Sequence, residues 1–316
     1  MVAPIVQANK LNLLGLINAA TAELGLPQYT SIISNNDTQA LQLLSIANRE
    51  GKEFSQHDKR ADGWEELRVQ YKFSTNAISG LTGTVAAGST TITGISSTAG
   101  ITAGLFLVSG NGIPYDTRVI SVGANSVVID SIPTLSGSGV TLLFSQDAYP
   151  IPNDVNYFIP QTTWDRTYRW QLLGPLSAQE WQVLKSGISP TGPRRRYRVM
   201  GNLFYIDPPP SDSLGVESLE YYSNAWCQSV SGAAQSKWTA DTNYYTLDDD
   251  CFILGVKWRF LAAKKLDYQQ EFADYQAAME RVSARNGGTR YLPLNATARG
   301  THLLSSANVP DTGFGS

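Results

Sequence analysis

The chain has 316 residues, of which 42% are hydrophobic and 16% are charged, and its net charge is −3. The 15 Tyr and 7 Trp, with this small net charge, exclude a disordered chain. The mild acidity argues against general attraction to nucleic acid or anionic membranes. No apolar run approaches the ~18 residues of a membrane span, and the N-terminal sequence is interpreted as neither a signal nor a transit peptide. The length predicts about two domains.

Two helices are predicted near the start of the chain. The first carries apolar residues at helical spacing from Leu13 to Leu24, and a Gly and a Pro just beyond it would end the helix. The second begins at Asp37, a residue type favoured at helix N-termini, and extends to about Phe54. We expect both helices to pack through one apolar face.

Residues 79–147 differ in composition from the chain on either side. Between Ser79 and Gln146 only Asp116, Arg118 and Asp130 are charged, and Gly, Ser and Thr are abundant. Short β-branched runs recur about every ten residues, with turn residues between them. This pattern predicts a small β-sandwich or barrel inserted between two halves of a host domain.

The second half of the host mixes helix and strand. Ser177 and Glu180 have the spacing of a capping box at the start of a short helix. Gly201 and Asn202 separate two β-prone runs, which is a hairpin signal. One more strand is predicted to end at Trp226.

A long helix is predicted over 249–285, capped by the aspartates at 248–250 and stopped by a Gly-Gly pair. Its apolar residues repeat at alternating spacings of four and three. A stripe so rich in aromatics more often packs on a domain core than in a coiled coil. The stripe consists of Leu254, Trp258, Leu261, Lys265, Tyr268, Phe272, Tyr275, Met279 and Val282.

The C-terminal segment 289–316 has no periodicity and several Pro and Gly residues, and it is predicted to be an extended tail. It nevertheless keeps apolar residues that a purely solvated tail would not need. We therefore expect the tail to dock on a partner. The residues expected to dock are Tyr291, Leu292, Leu294, Leu303, Leu304 and Phe314.

A search for catalytic or metal-binding motifs predicts no catalytic residue, no metal site and no cofactor. The only histidines, His57 and His302, are far apart, and zinc, phosphate-loop and dinucleotide motifs are absent from the sequence. Asp241 begins a segment that resembles a calcium loop but lacks its glycine and closing glutamate. Cys227 and Cys251 are interpreted as buried thiols, and a reducing site of synthesis is the simpler explanation for so few cysteines.

Two further features have competing interpretations. Asp165 and Asp207 are the only candidates for a glycosidase-type acid pair, and a surface turn or salt bridge is the favoured alternative. The basic run Arg194, Arg195 and Arg196 could contact phosphate, protect a hairpin edge by its charge, or form salt bridges to a neighbouring subunit.

Several segments occur in an order that resembles the head-to-tail adaptor proteins of tailed bacteriophages. The similarity is to the tail tubular protein A, or gatekeeper, class of connector, and it covers about 1–78 and 148–290. The insert at 79–147 departs from that pattern, so its role is not carried over. The segments are Glu23–Pro27, Leu43–Glu50, Thr163–Thr167, Leu173–Trp181, Tyr197–Asn202, Leu254–Arg259 and Leu266–Phe272.

The resemblance implies a non-enzymatic virion protein, made in the host bacterial cytoplasm and located at the head–tail junction. Such proteins form a ring, usually dodecameric, beneath the portal protein and bind the tail nozzle or tube, sometimes also a tail fibre or spike. Double-stranded DNA would pass through the lumen without specific binding, and no membrane is involved. The helical part would pack subunits side by side through Leu254, Trp258, Leu261, Tyr268, Phe272 and Tyr275.

The predicted fold class is α+β. It comprises a discontinuous helical adaptor domain (1–78 and 148–288) with a small β-hairpin or sheet part, an inserted all-β sandwich or barrel (79–147), and an extended C-terminal tail (289–316). We expect the insert to project outward. The alternative function is a tail-associated carbohydrate- or receptor-binding protein, suggested by the β-module and the many Trp and Tyr. A DNA-packaging or DNA-binding factor is a third possibility, and it depends on the basic run.

Overall fold

The computed structural model of the protein describes residues 10–56, 63–186 and 194–286. Five α-helices lie in these ranges, with a 3-10 turn at Glu65–Leu67. None of the helices in the described ranges is long and apolar enough to cross a membrane. The helices are α1 (Leu13–Glu23), α2 (Thr38–Gln56), α3 (Ala178–Lys185), α4 (Asp249–Ala263) and α5 (Gln269–Arg285).

Short strands make up most of the remaining regular structure in the same ranges. They are β1 (Arg68–Ser74), β2 (Ala77–Val85), β3 (Thr91–Ile92), β4 (Phe106–Ser109), β5 (Val119–Val122), β6 (Val127–Ile129), β7 (Gly137–Gln146), β8 (Ala148–Pro150), β9 (Val155–Phe158), β10 (Trp164–Asp165), β11 (Trp170–Gln171), β12 (Arg196–Met200), β13 (Leu203–Asp207), β14 (Val216–Ser223), β15 (Cys227–Gln228), β16 (Ala234–Gln235) and β17 (Tyr244–Tyr245).

The strands pair antiparallel in five sheets. The largest has the order β1-β14-β10-β11, with β9 also on β14. Three-stranded sheets have the orders β12-β13-β8, β16-β15-β17, β2-β7-β4 and β3-β6-β5. The Gly201–Asn202 turn joins β12 and β13, and both residues have a positive φ, as such hairpins require.

Helices α1, α2, α4 and α5 share one apolar core with the β15–β17 region. Phe54 at the end of α2 stacks on Trp64, with ring centroids 4.8 Å apart. Tyr245 of β17 and Phe252 of α4 contact each other in the same cluster, with ring centroids 4.7 Å apart. Aromatic contacts of this kind hold elements that are far apart in the chain.

Two further cores lie in the β regions. The sheets β2-β7-β4 and β3-β6-β5 contribute to one apolar cluster that includes Phe106, Val119 and Phe144. The β8, β12, β13 and β14 region encloses another, in which Phe204 stacks on Tyr197 with centroids 4.9 Å apart. The division of the chain into a host domain and an insert at 79–147 stays a prediction.

The predicted α+β fold built on a helical adaptor domain is wrong. Among the residues that the structure describes, strand accounts for 30% and helix for 28%, and this part of the chain is predominantly β, with many antiparallel sheets. The sequence interpretation gave too little weight to period-two segments in the host. In Arg68–Ser74, half-buried residues alternate with exposed ones, and the segment forms β1 against β14.

The predicted single helix over 249–285 is also wrong. Helix α4 ends at Ala263, and Lys265 has φ 59, a left-handed conformation that cannot continue a helix. Helix α5 then folds back on α4, and Trp258 meets Phe272 edge to face with centroids 5.0 Å apart. Two helices that cover each other's apolar faces bury the stripe better than one exposed helix would.

Candidate functional site

A buried ion cluster joins α2 to α4. Glu50 on α2 is fully buried, and its Oε2 lies 2.8 Å from Nη2 of Arg259 on α4. The same Nη2 donates to Oε2 of Glu53 at 2.9 Å. Gly255, one turn before Arg259, leaves the space that Glu50 occupies, since a Cβ there would lie 2.2 Å from Glu50 Cδ. Burial raises the pKa of Glu50 to about 7, although the charge of Arg259 acts in the opposite direction.

Beside this cluster α4 and α5 form a groove of about 390 Å³. The Arg259 guanidinium stacks over Trp258 at 4.4 Å, and both side chains line the groove with Phe272 and Tyr275. Nε of Arg259 and Nε1 of Trp258 are buried without a hydrogen-bond partner among the described residues. The groove is thus lined by aromatic rings and a guanidinium group, and Glu53 also lines it.

The residues predicted to pack one subunit against another lie close together, but most of them contact residues of their own chain. Trp258 contacts Phe272, Tyr275 and Tyr268, with centroid distances of 5.0, 6.1 and 6.2 Å. Leu254 also packs on the helical core, and Leu261 is half-buried. Only Tyr268, at 39% exposure, is largely open to solvent. Their role between subunits stays a prediction.

A second ion cluster explains one member of the basic run. Arg195 points inward, and its Nη1 lies 3.0 Å from Asp165 Oδ2 and 2.7 Å from Glu217 Oε1. Burial raises the pKa of Glu217 to about 7, and the nearby charge of Asp165 adds to the effect. Arg195 is therefore neutralised by carboxylates of the same chain. Arg194 is exposed and Arg196 is half-buried, and neither has an ion-pair partner in the described ranges.

The face of this cluster opens into a cleft of about 230 Å³. Tyr168 and Trp170 line it and are 41% and 40% exposed. The hydroxyl of Tyr168 donates to Asp212 Oδ2 at 3.0 Å. The cleft thus combines accessible aromatic rings with carboxylates, as a sugar-binding surface would.

A third ion cluster lies where the β2–β7 region meets α3 and β13. Lys185 Nζ on α3 is 2.8 Å from Asp116 Oδ1, 3.6 Å from Asp147 Oδ2 and 3.0 Å from Asp207 Oδ2. Arg118 makes two hydrogen bonds to Asp147, at 2.9 and 2.7 Å. Although burial opposes its charge, the three carboxylates raise the pKa of Lys185.

The candidate acid pair Asp165 and Asp207 does not have accessible carboxylates. Asp165 is 4% exposed and bound to Arg195, and Asp207 is fully buried and bound to Lys185. Each carboxylate neutralises a buried cation in its own cluster. Their geometry fits the salt-bridge alternative better than acid–base catalysis, which needs contact with substrate.

The loop at Asp241 is likewise structural in its contacts. The Asp241 carboxylate accepts hydrogen bonds from Ser31 Oγ at 2.6 Å and from the amides of Ile32 and Ile33 at 3.0 Å. It therefore connects the loop after α1 to the loop between β16 and β17. Among the residues that the structure describes, no group of three or more His, Cys, Asp or Glu side chains could hold a metal ion.

Cys227 and Cys251 are free and buried. Burial raises the pKa of each thiol to about 12.

His57, His302 and the predicted docking residues of the tail lie outside the described residues. Those docking residues are Tyr291, Leu292, Leu294, Leu303, Leu304 and Phe314.

The sequence interpretation missed Glu50, Arg259, Glu217 and Lys185. The one local signal was the spacing of Gly255 and Arg259. On one helix face it places a residue without a side chain one turn before a cation.

A scan of protein-family models finds none that matches the chain, and a search of curated proteins finds no similar sequence.

Proposed function

We propose that the protein is a non-enzymatic head-to-tail adaptor of a tailed bacteriophage virion. It would form a ring beneath the portal protein, continue the DNA channel, and bind the tail nozzle or tube on its other side. This proposal rests on the resemblance of separate segments, and it does not require the helical domain that was predicted.

The supporting observation is that the resembling segments contact one another. Leu43–Glu50 meets Leu254–Arg259 through the Glu50–Arg259 ion pair and the gap at Gly255. In the β region, Leu173–Trp181 meets Tyr197–Asn202, where the Leu176 amide donates to the Tyr197 carbonyl at 3.0 Å.

A further contact between the same two segments involves Gly174, where a Cβ would lie 2.5 Å from the Tyr197 carbonyl oxygen. Leu172, which directly precedes the segment Leu173–Trp181, donates its amide to the Thr163 carbonyl at 3.0 Å, and Thr163 begins the segment Thr163–Thr167. Residues that carry the resemblance thus make the long-range contacts of two cores.

The buried charges also favour a structural role. Glu50 and Glu217 have a pKa raised to about 7, a value suited to acid–base catalysis. Both are fully buried and neutralised by arginines, so a substrate has no route to them. Their arrangement holds elements together.

The test is binding to the portal ring encoded by the same genome. Full-length protein should co-sediment with portal rings, and a variant lacking 289–316 should not, while its circular dichroism spectrum and melting temperature stay unchanged. A variant that carries the tail with its order of residues scrambled is the matched control for length and composition. Normal binding by the truncated protein would exclude the tail as the portal-docking segment.

The second candidate, a carbohydrate- or receptor-binding protein, is favoured by the cleft at Tyr168 and Trp170. Exposed aromatic rings beside carboxylates suit stacking and hydrogen bonding to a sugar. Binding on a glycan array that is lost in a Tyr168→Ala/Trp170→Ala variant would support it. A blank array would leave the adaptor as the only candidate with support.

A further inference from the structure

Three arginines near the hairpin β12–β13 have no structural use within the described part of the chain. Arg194 is exposed, and Arg196 and Arg198 are partly exposed. No hydrogen bond, ion pair or ring contact of their side chains occurs within the described ranges, in contrast to Arg195 between them. Unpaired guanidinium groups this close together repel one another, so a fold alone would not favour them.

Strand geometry aligns these arginines. Successive side chains of a strand point to opposite faces, so Arg196 and Arg198 share a face, about 6.6 Å apart. Tyr197 points the other way, into the β core. Arg194 is exposed and lies two residues before β12 begins. We call Arg194, Arg196 and Arg198 the arginine row.

Carboxylates next to the arginine row already have cationic partners within the fold. Arg196 lies opposite Asp207 in the ladder of β12 and β13. The Asp207 carboxylate is fully buried, and its Oδ2 is bound by Lys185 at 3.0 Å and by the Tyr115 hydroxyl at 3.0 Å.

The neighbouring carboxylates of Asp116 and Asp147 are bound by Lys185 and Arg118. The third ion cluster therefore holds three carboxylates against two cations, a net charge of −1 that the three guanidinium groups of the arginine row outweigh. It leaves the arginine row with a net positive charge, although the whole chain has a net charge of −3.

We propose that the arginine row contacts the phosphate backbone of duplex DNA. Guanidinium groups bind phosphate oxygens strongly, and such contacts position a duplex without reading its sequence. The proposal stands independently of the adaptor function, since any protein exposed to DNA could use such a row.

The experiment measures binding of full-length protein to a fluorescently labelled DNA duplex by anisotropy, at several salt concentrations. Each phosphate contact contributes about 0.9 to the slope of log K against log salt concentration. An Arg194→Ala/Arg196→Ala/Arg198→Ala variant should therefore lose about 2.7 from the slope, and roughly tenfold or more in affinity at low salt. Each single variant should lose about 0.9.

Two control variants separate this proposal from a general charge effect. Lys52→Ala/Lys237→Ala/Arg281→Ala removes the same charge from exposed positions elsewhere and should leave the slope unchanged. Replacing the arginine row with three lysines should keep most of the slope, because lysine binds phosphate as a point charge.

Three results would overturn the proposal. The first is an unchanged slope in the arginine-row variant, and the second is an equal loss in the control variant. The third is binding of a polyglutamate peptide with no binding of DNA, which would assign the row to an acidic protein. None of these results bears on portal binding, so the adaptor proposal is tested separately.

Discussion

The Glu50 side chain on α2 occupies the space that a side chain at Gly255 on α4 would need. A Cβ at Gly255 would lie 2.2 Å from Cδ and 2.3 Å from Oε1 of Glu50, closer than any real contact. A side chain at position 255 would therefore displace the Glu50 carboxylate from its present position between α2 and α4. The close approach of α2 to α4 also places Arg259 against the buried carboxylate.

A Gly255→Ala variant is expected to be destabilised by about 1–3 kcal/mol, the usual cost of overpacking a core. Removing the carboxylate as well, in Gly255→Ala/Glu50→Ala, should make the two effects clearly non-additive, with a coupling of about 0.5–3 kcal/mol. Urea denaturation of the wild type, the two single variants and the double variant measures this coupling. Strict additivity would mean that the two residues do not share a site.

Stability should fall as pH rises from about 5 to 8. Glu50 and Glu217 have a pKa near 7 in the folded protein, above the ordinary value of 4.5, because both are buried. Between these pH values the folded state binds more protons than the unfolded state. The free energy of unfolding contributed by each group is thus fully present below about 4.5 and is lost as pH rises through 7.

Urea melts at pH 5, 6, 7 and 8 would measure the fall. The Glu50→Gln and Glu217→Gln variants should each flatten it, because glutamine does not titrate. Glu66→Gln, at an exposed position, should retain the wild-type slope. If the stability of the wild type rises from pH 5 to pH 8, the raised pKa of Glu50 and Glu217 is contradicted.

Where α3 and β13 meet the β2–β7 region, substitution of Lys185 should lower the free energy of unfolding more than substitution of any other single residue. Lys185→Met would leave the buried carboxylates of Asp147 and Asp207 without one of their cations, at a cost of about 3–5 kcal/mol. Lys52→Met, at an exposed position, should change the free energy of unfolding by less than about 0.5 kcal/mol.

A compensating variant distinguishes charge from packing at this site. Lys185→Met/Asp207→Asn removes one cation and one carboxylate together and should recover part of the lost stability. If Lys185→Met unfolds at the same urea concentration as the wild type, the third ion cluster contributes nothing to the fold.

Both thiols should resist modification in the native protein. Burial raises the pKa of Cys227 and Cys251 to about 12, so the reactive thiolate is scarce at pH 8. Ellman's reagent should detect almost no thiol before unfolding and two per chain after it. A Thr242→Cys variant supplies an exposed thiol as a positive control. If either cysteine reacts rapidly with Ellman's reagent in the folded protein, the structure around that cysteine must open to solvent.

Local features of the fold were predictable because their causes act within a few residues. The capping box of Ser177 and Glu180 and the Gly201–Asn202 turn are confirmed. The break at Lys265 was not predictable, because that turn contains neither Gly nor Pro, and its left-handed residue is a lysine. The fold class was wrong for a related reason: the alternation in β1 is weak, and its partner β14 lies more than a hundred residues away.

The candidate site was less predictable than the fold. Arg195 and Arg196 are adjacent, chemically identical and both half-buried, yet Arg195 binds two carboxylates and Arg196 has no ion-pair partner in the described ranges. Only the register of β12 decides between them. Glu50 and Arg259 are 209 positions apart, and neither has a local signature of burial. Long-range charge pairing of this kind depends on packing that sequence patterns do not encode.

The most direct measurement for the proposed function is electron microscopy of the full-length protein mixed with portal rings from the same genome. The proposal predicts portal rings that carry an additional collar, with one copy of this protein for each portal subunit. Bare portal rings, with the protein left monomeric in the background, would contradict the adaptor function.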